Sequence, residues 1–156
     1  MSMIIWPEHP DNIPIPPTPQ GHTYQLRRNF LYEDNRYYLK AYAGYLYDGA
    51  SVPGVGTLLT GLHPDGLLRG PSVPHDMAYE NDGWITAIKP HPYFEIVLKD
   101  GRDRILKPEA DRLFYKMCLQ SGLSRALSIK AYLAVRQFGQ YPSDRVRHED
   151  NNRYNR

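Results

Sequence analysis

Pro108-Glu109-Ala110-Asp111-Arg112-Leu113-Phe114-Tyr115-Lys116-Met117-Cys118 is the stretch on which the fold class turns. Ala110, Leu113, Phe114, Met117 and Cys118 recur at helical spacing. Pro108 suits a first helical turn, and Glu109 and Asp111 lie where the helix dipole favours carboxylates. The spacing predicts a helix that Ser121-Gly122 ends. A further helix is predicted from about Ser124 to Phe138, with Leu127, Ala131, Val135 and Phe138 in register and Gly139 as its terminator. Upstream the pattern changes to strands. Residues 93–98 and 103–106 flank Lys99-Asp100-Gly101-Arg102, which reads as a hairpin with an Asp-Gly turn. Residues 23–31 and 37–43 flank Glu33-Asp34-Asn35-Arg36 and read as another hairpin. Residues 54–70 read as loop. A short helix is predicted to begin near His75, with Val73 as N-cap and Pro74 as first helical residue, and to stop near Asn81-Asp82-Gly83. The expected fold class is α+β: two β-hairpins packed with about three helices.

Outside these elements the chain changes character. Residues 7–19 hold six of the 14 prolines, so residues 1–22 read as an extended arm rather than a strand or helix. Trp6, Ile4, Ile5, Ile13 and Ile15 give it apolar anchors, which favours a strap lying on another surface over a solvated linker. Residues 140–156 carry both signs of charge without apolar periodicity and read as a polar tail, disordered alone or ordered by a partner. Residues 23–139 are expected to form one α+β domain. A net charge of +2 with no run of Lys and Arg argues against a nucleic-acid footprint. The lone cysteine, Cys118, excludes an intrachain disulfide and reads as a small buried hydrophobe. Met1–Pro7 lacks the basic leader of a signal peptide, and no transmembrane segment is expected. The thirteen tyrosines suit half-buried surfaces and interfaces.

His75-Asp76, Tyr79 and Asp111 are the residues that acid–base or metal-assisted chemistry would use. His75 near a helix N-terminus would be held neutral, as a general base or metal ligand must be. Asp111 can orient the imidazole through its other ring nitrogen, and Tyr79, one turn after His75, can reach Asp111 with its hydroxyl. Each has a structural alternative: Asp76 and Asp111 can serve helix starts, and Tyr79 can fill the core. Asp48 and Ser51 read either as a catalytic pair facing His75 or as a turn that satisfies backbone amides. Gly54 and Gly56 frame backbone that can offer carbonyls to calcium or amides to an oxyanion.

The order Asp48-Gly-Ala-Ser51-Val-Pro53, His75-Asp76-x-x-Tyr79, Ala110-Asp111-x-x-Phe114 and Tyr132-x-x-Val135-Arg136-x-x-Gly139 resembles a domain-of-unknown-function family found largely in tailed bacteriophages and prophages. That resemblance covers roughly residues 23–139. It implies a phage protein made in the host cytoplasm and associated with the virion as a tail, baseplate or connector part. The arm and the tail would then meet other phage structural proteins, and a homo-oligomer is a further expected partner state. His75-Asp76-Met-Ala-Tyr79 is also similar to the active helix of phospholipases of the secreted and parvoviral type. That similarity implies that His75 activates a water, Asp76 holds calcium with carbonyls from the Gly54-Val-Gly56 loop, and Asp111 bonds His75 and Tyr79. The expected activity is then a calcium-assisted hydrolysis of an envelope lipid or ester; the alternative is a purely structural, non-catalytic assembly protein.

Overall fold

A computed structural model describes residues 12–14, 24–47, 68–139 and 141–142 of the 156. Asp48, Ser51, Gly54 and Gly56 lie outside the described residues.

Along the chain come β1 (Asn12–Pro14), β2 (Tyr24–Leu26), β3 (Phe30–Glu33), β4 (Tyr37–Ala41), β5 (Leu46–Tyr47), α1 (Arg69–Glu80), β6 (Phe94–Leu98), α2 (Lys107–Gln120) and α3 (Arg125–Phe138). The strands form two antiparallel three-stranded sheets, ordered β1-β2-β5 and β3-β4-β6. The class is α+β, as the sequence predicts. Among the described residues no helix is long and apolar enough to cross a membrane.

The sheets form because the apolar positions alternate. In β4, Tyr37, Leu39 and Ala41 are buried while Tyr38 and Lys40 are half-exposed. β6 repeats the pattern with Phe94, Ile96 and Leu98. Paired in register, Leu39 opposite Ile96, they give one apolar face. Val73 and Met77 of α1 and Ala110, Leu113 and Met117 of α2 join the core with that face. Each fully buried side chain of this size contributes about 1.5–3 kcal/mol. The other stripe of α2, Phe114 and Cys118, meets Leu68, Leu123, Ala131 and Val135 in a second cluster that includes α3. Burial pushes the Cys118 thiol up to about 12, in keeping with an inert core residue.

Five expectations need correction. The predicted strand over 23–31 is broken: β2 and β3 lie in different sheets. Leu26 exchanges backbone hydrogen bonds with Tyr45 and Gly44 (2.9 and 2.8 Å), so the chain changes partner before Phe30. The predicted second hairpin is absent, since β6 pairs with β4 rather than with residues 103–106. The turn at Asp100-Gly101 does form, but the chain beyond it bonds residues 83–85: Ile105 N–H donates to Gly83 O (2.7 Å) and Ile85 N–H to Asp103 O (2.9 Å). α1 begins at Arg69, not near His75, and Pro74 lies inside it. The proline weakens that turn locally. Burial of Val73 and Met77, both at 0% exposure, outweighs the cost. Part of the proline-rich arm is a strand after all: Asn12–Pro14 pairs with β2 at a sheet edge, where a residue without N–H is tolerated. Finally, Tyr141, which composition assigns to the polar tail, is 1% exposed and donates its hydroxyl to Ile105 O (2.8 Å).

Candidate functional site

Three helices converge on one carboxylate. His75 and Tyr79 lie one turn apart on α1, with ring centroids 4.2 Å apart. The imidazole also lies against Phe114 of α2, at 4.8 Å between centroids. Asp111, in the first turns of α2, is 0% exposed and His75 is 6% exposed. His75 Nε2 lies 3.0 Å from Asp111 Oδ1, and the Tyr79 hydroxyl donates to the same oxygen. Oδ2 accepts from Lys107 Nζ at 3.0 Å and from the Arg136 guanidinium of α3 at 2.9 Å. Lys107 also reaches the carbonyls of Val135 and Arg136 (3.4 Å each) at the C-terminal end of α3. Tyr79 packs edge-on against Tyr141, 5.0 Å between centroids.

The electrostatics assign the protons. Burial alone would raise the Asp111 pKa, yet the donors around it, His75, Tyr79 and Lys107 among them, hold the carboxyl well below its usual range. Burial lowers the His75 pKa, and the Asp111 hydrogen bond and charge only partly offset this. Burial and the bonded Asp111 charge raise the Tyr79 pKa, so the phenol keeps its proton. The resulting state is an ionised Asp111 facing a neutral His75. Asp111 can only accept, so Nε2 carries the imidazole proton and the lone pair lies on Nδ1. Asp76 Oδ1 lies 4.0 Å from Nδ1, beyond hydrogen-bond reach, and Asp76 is 20% exposed. His75 is mid-helix, so burial rather than the helix N-terminus favours its neutral form.

A pH dependence follows. Both groups bind protons more weakly in the fold than in the unfolded chain, whose values are near 6.5 for His75 and 3.8 for Asp111. Their contribution to stability is therefore fully present above the unfolded His value. It falls as the pH drops through that value, and falls again as the pH passes below the unfolded Asp value. Urea midpoints measured from neutral pH down to pH 4 are expected to decline from the first of these values onward. A midpoint that stays level down to about pH 5 would show that His75 is not held neutral by burial.

His75, Tyr79 and Asp111, all singled out in the sequence, are brought together, with Asp76 beside them. Asp48, Ser51, Gly54 and Gly56 fall outside the described residues, so their placement beside His75 rests on the sequence alone. Sequence reasoning missed Lys107 and Arg136 as partners of Asp111. Lys107 had a readable signal in its i,i+4 spacing to Asp111; Arg136 arrives only through helix packing. Among the described residues no group of three His, Cys, Asp or Glu is placed to hold a metal ion.

No curated protein and no solved structure matches the chain. One family model does, and it covers β2 to β6, α1, α2 and most of α3, with Asp111 inside it, reaching residue 135, next to Arg136. Matched over residues 24–135, the chain belongs to the family described as protein of unknown function (DUF1353).

Proposed function

We propose that His75 is the general base of an ester hydrolase and that Asp111 and Tyr79 hold it for that task. The observation that carries this reading is the neutral imidazole whose Nε2 is bonded to an ionised Asp111, leaving the Nδ1 lone pair beside the partly exposed Asp76. In the reaction, Nδ1 takes a proton from a water. The water oxygen attacks the ester carbonyl, and the imidazolium so formed is stabilised by Asp111 through Nε2–H. Tyr79, Lys107 and Arg136 keep Asp111 ionised and fixed. The proton on Nδ1 then passes to the leaving alkoxide, and His75 returns to its neutral form.

Asp76 is an oxygen donor on the side of His75 away from Asp111, the donor type that calcium prefers. A calcium ion held by Asp76, with carbonyls of Gly54 and Gly56 as the phospholipase similarity implies, would polarise the ester carbonyl as a Lewis acid. On the same similarity the substrate is a lipid or other ester of a host envelope. The phage-type resemblance supports a virion-associated tail, baseplate or connector protein, whose arm (residues 1–22) and tail (residues 140–156), apart from the paired Asn12–Pro14 and the buried Tyr141, meet other phage proteins. A second reading is favoured by the complete burial of Asp111 under donors from three helices: the centre only locks the helices of a structural virion part.

His75→Gln separates the two readings. Glutamine keeps an amide donor for Asp111 but has no base. The hydrolase reading expects release of fatty acid from phospholipid vesicles with calcium present, lost by about 10²–10⁴-fold in the variant, while thermal unfolding stays cooperative. Wild-type protein that hydrolyses neither phospholipid nor a nitrophenyl ester, with or without calcium, leaves the structural reading. Its own check is a stoichiometric copy number of the chain in purified particles.

A further inference from the structure

A second polar site lies apart from the His75 centre. A cleft of about 620 Å³ opens between the β3–β4 turn, the turn after β6 and the first turns of α2. Four cationic side chains line it (Arg36, Arg102, Arg112 and Lys116) against two carboxylates, Asp100 and Glu109.

Arg102 already satisfies both carboxylates. Its guanidinium donates to Glu109 Oε2 and Oε1 (2.8 and 2.5 Å) and to Asp100 Oδ2 (2.8 Å). The Tyr37 hydroxyl donates to Glu109 Oε1 as well (2.5 Å). The acidic groups are thus already paired, and the hydrogen bonds from Arg102 and Tyr37 hold Glu109 below its usual carboxylate range despite burial. Lys116 is shared with Asp34 at 3.3 Å. The guanidiniums of Arg36 and Arg112 have no hydrogen bond or ion pair among the described residues, although both face the cleft. The lining therefore keeps two forked donors and a surplus of positive charge, beside the apolar surface of Leu106 and Pro108. Arginine forks match oxyanions bidentately, and a tetrahedral phosphate offers oxygens to more than one fork at once.

We infer that this cleft binds a phosphate-bearing ligand, with Arg36 and Arg112 gripping the phosphate oxygens and Lys116 adding charge. The inference stands independently of the hydrolase reading. Its test is calorimetric titration of the full chain with inorganic pyrophosphate at about physiological salt, so that non-specific electrostatic binding is screened. A parallel arm measures sedimentation with vesicles of phosphatidylcholine alone and with phosphatidylglycerol added.

Saturable pyrophosphate binding is expected, weakened by about tenfold or more in Arg36→Ala/Arg112→Ala and unchanged in Lys130→Ala, an exposed cation on α3. Binding to the phosphatidylglycerol vesicles alone, lost in the same double variant, supports the site and assigns the phosphate to a lipid headgroup. Absence of binding in both arms, or equal loss in Lys130→Ala, overturns the inference. Should the double variant fail to fold, Arg112→Gln, at an exposed helical position, carries the same expectation with a smaller loss.

Discussion

Asp111→Ala is expected to lower the unfolding free energy by about 3–5 kcal/mol, the range for removing one partner of a buried ion pair. The carboxylate is 0% exposed and serves four donors. Its loss leaves those donors without an acceptor in a site that water enters poorly. Arg136, at 35% exposure, can turn to solvent; Lys107, at 17%, has less room, and His75, at 6%, has least. The cost therefore falls mainly on the α1–α2 contact, where each stranded polar group costs about 1–3 kcal/mol. Against a total stability of about 5–15 kcal/mol this is a large share. Urea denaturation would read it as a lowered midpoint with little change in slope. A loss below about 1 kcal/mol would mean that the four bonds only break even against desolvation. Asp111→Asn sharpens the test. The amide keeps one oxygen for part of the set but turns an N–H₂ toward either the two cations or the His75–Tyr79 pair. Stability should fall less than in the alanine variant. Any esterase activity should fall further than stability does, because Nε2–H loses the anion that fixes the tautomer.

How far such a centre can be read from sequence depends on the range of the interaction. α2 and α3 were legible because an amphipathic helix writes its buried face at a local period: Ala110, Leu113, Phe114, Met117 and Cys118 are all buried as spaced. His75 and Tyr79 were legible as a pair for the same reason, since four residues make one helical turn. Strand partners carry no such local mark. Phe94–Leu98 reads as a strand in isolation, but its choice of Tyr37–Ala41 over the nearer residues 103–106 comes from closing one apolar face over α1 and α2. The start of α1 was misplaced because a local rule about Pro74 was set against burial of Val73 and Met77, which only the folded chain displays. Arg136 belongs to the same class. Its place on Asp111 is fixed by how α3 packs on α2, and nothing within a few residues of it signals a buried carboxylate.

Gly83→Ala is expected to destabilise the fold by about 3 kcal/mol or more through a contact that reaches back to the Asp111 centre. Gly83 follows the end of α1 with φ +76°, and a Cβ there would lie 1.8 Å from Ile105 O and 3.0 Å from the Tyr141 hydroxyl. The left-handed backbone alone costs a non-glycine residue about 1–2 kcal/mol. Relieving the overlap requires moving a backbone carbonyl, because no flexible side-chain end is there to yield. That carbonyl accepts the buried Tyr141 hydroxyl at 2.8 Å, and Ile105 N–H is bonded to Gly83 O at 2.7 Å. Displacing Ile105 strains both bonds and loosens Tyr141, which packs edge-on against Tyr79, the phenol bonded to Asp111. Gly101 supplies the internal control. Its φ is +81°, nearly the same, but nothing lies within 4 Å of the Cβ it would gain. Gly101→Ala should therefore cost only the backbone term, about 1 kcal/mol. The difference between the two variants in urea unfolding isolates the close approach at Ile105. Equal losses would mean that both glycines serve only their dihedral angles, and that residues 83 and 105 can separate without disturbing the core.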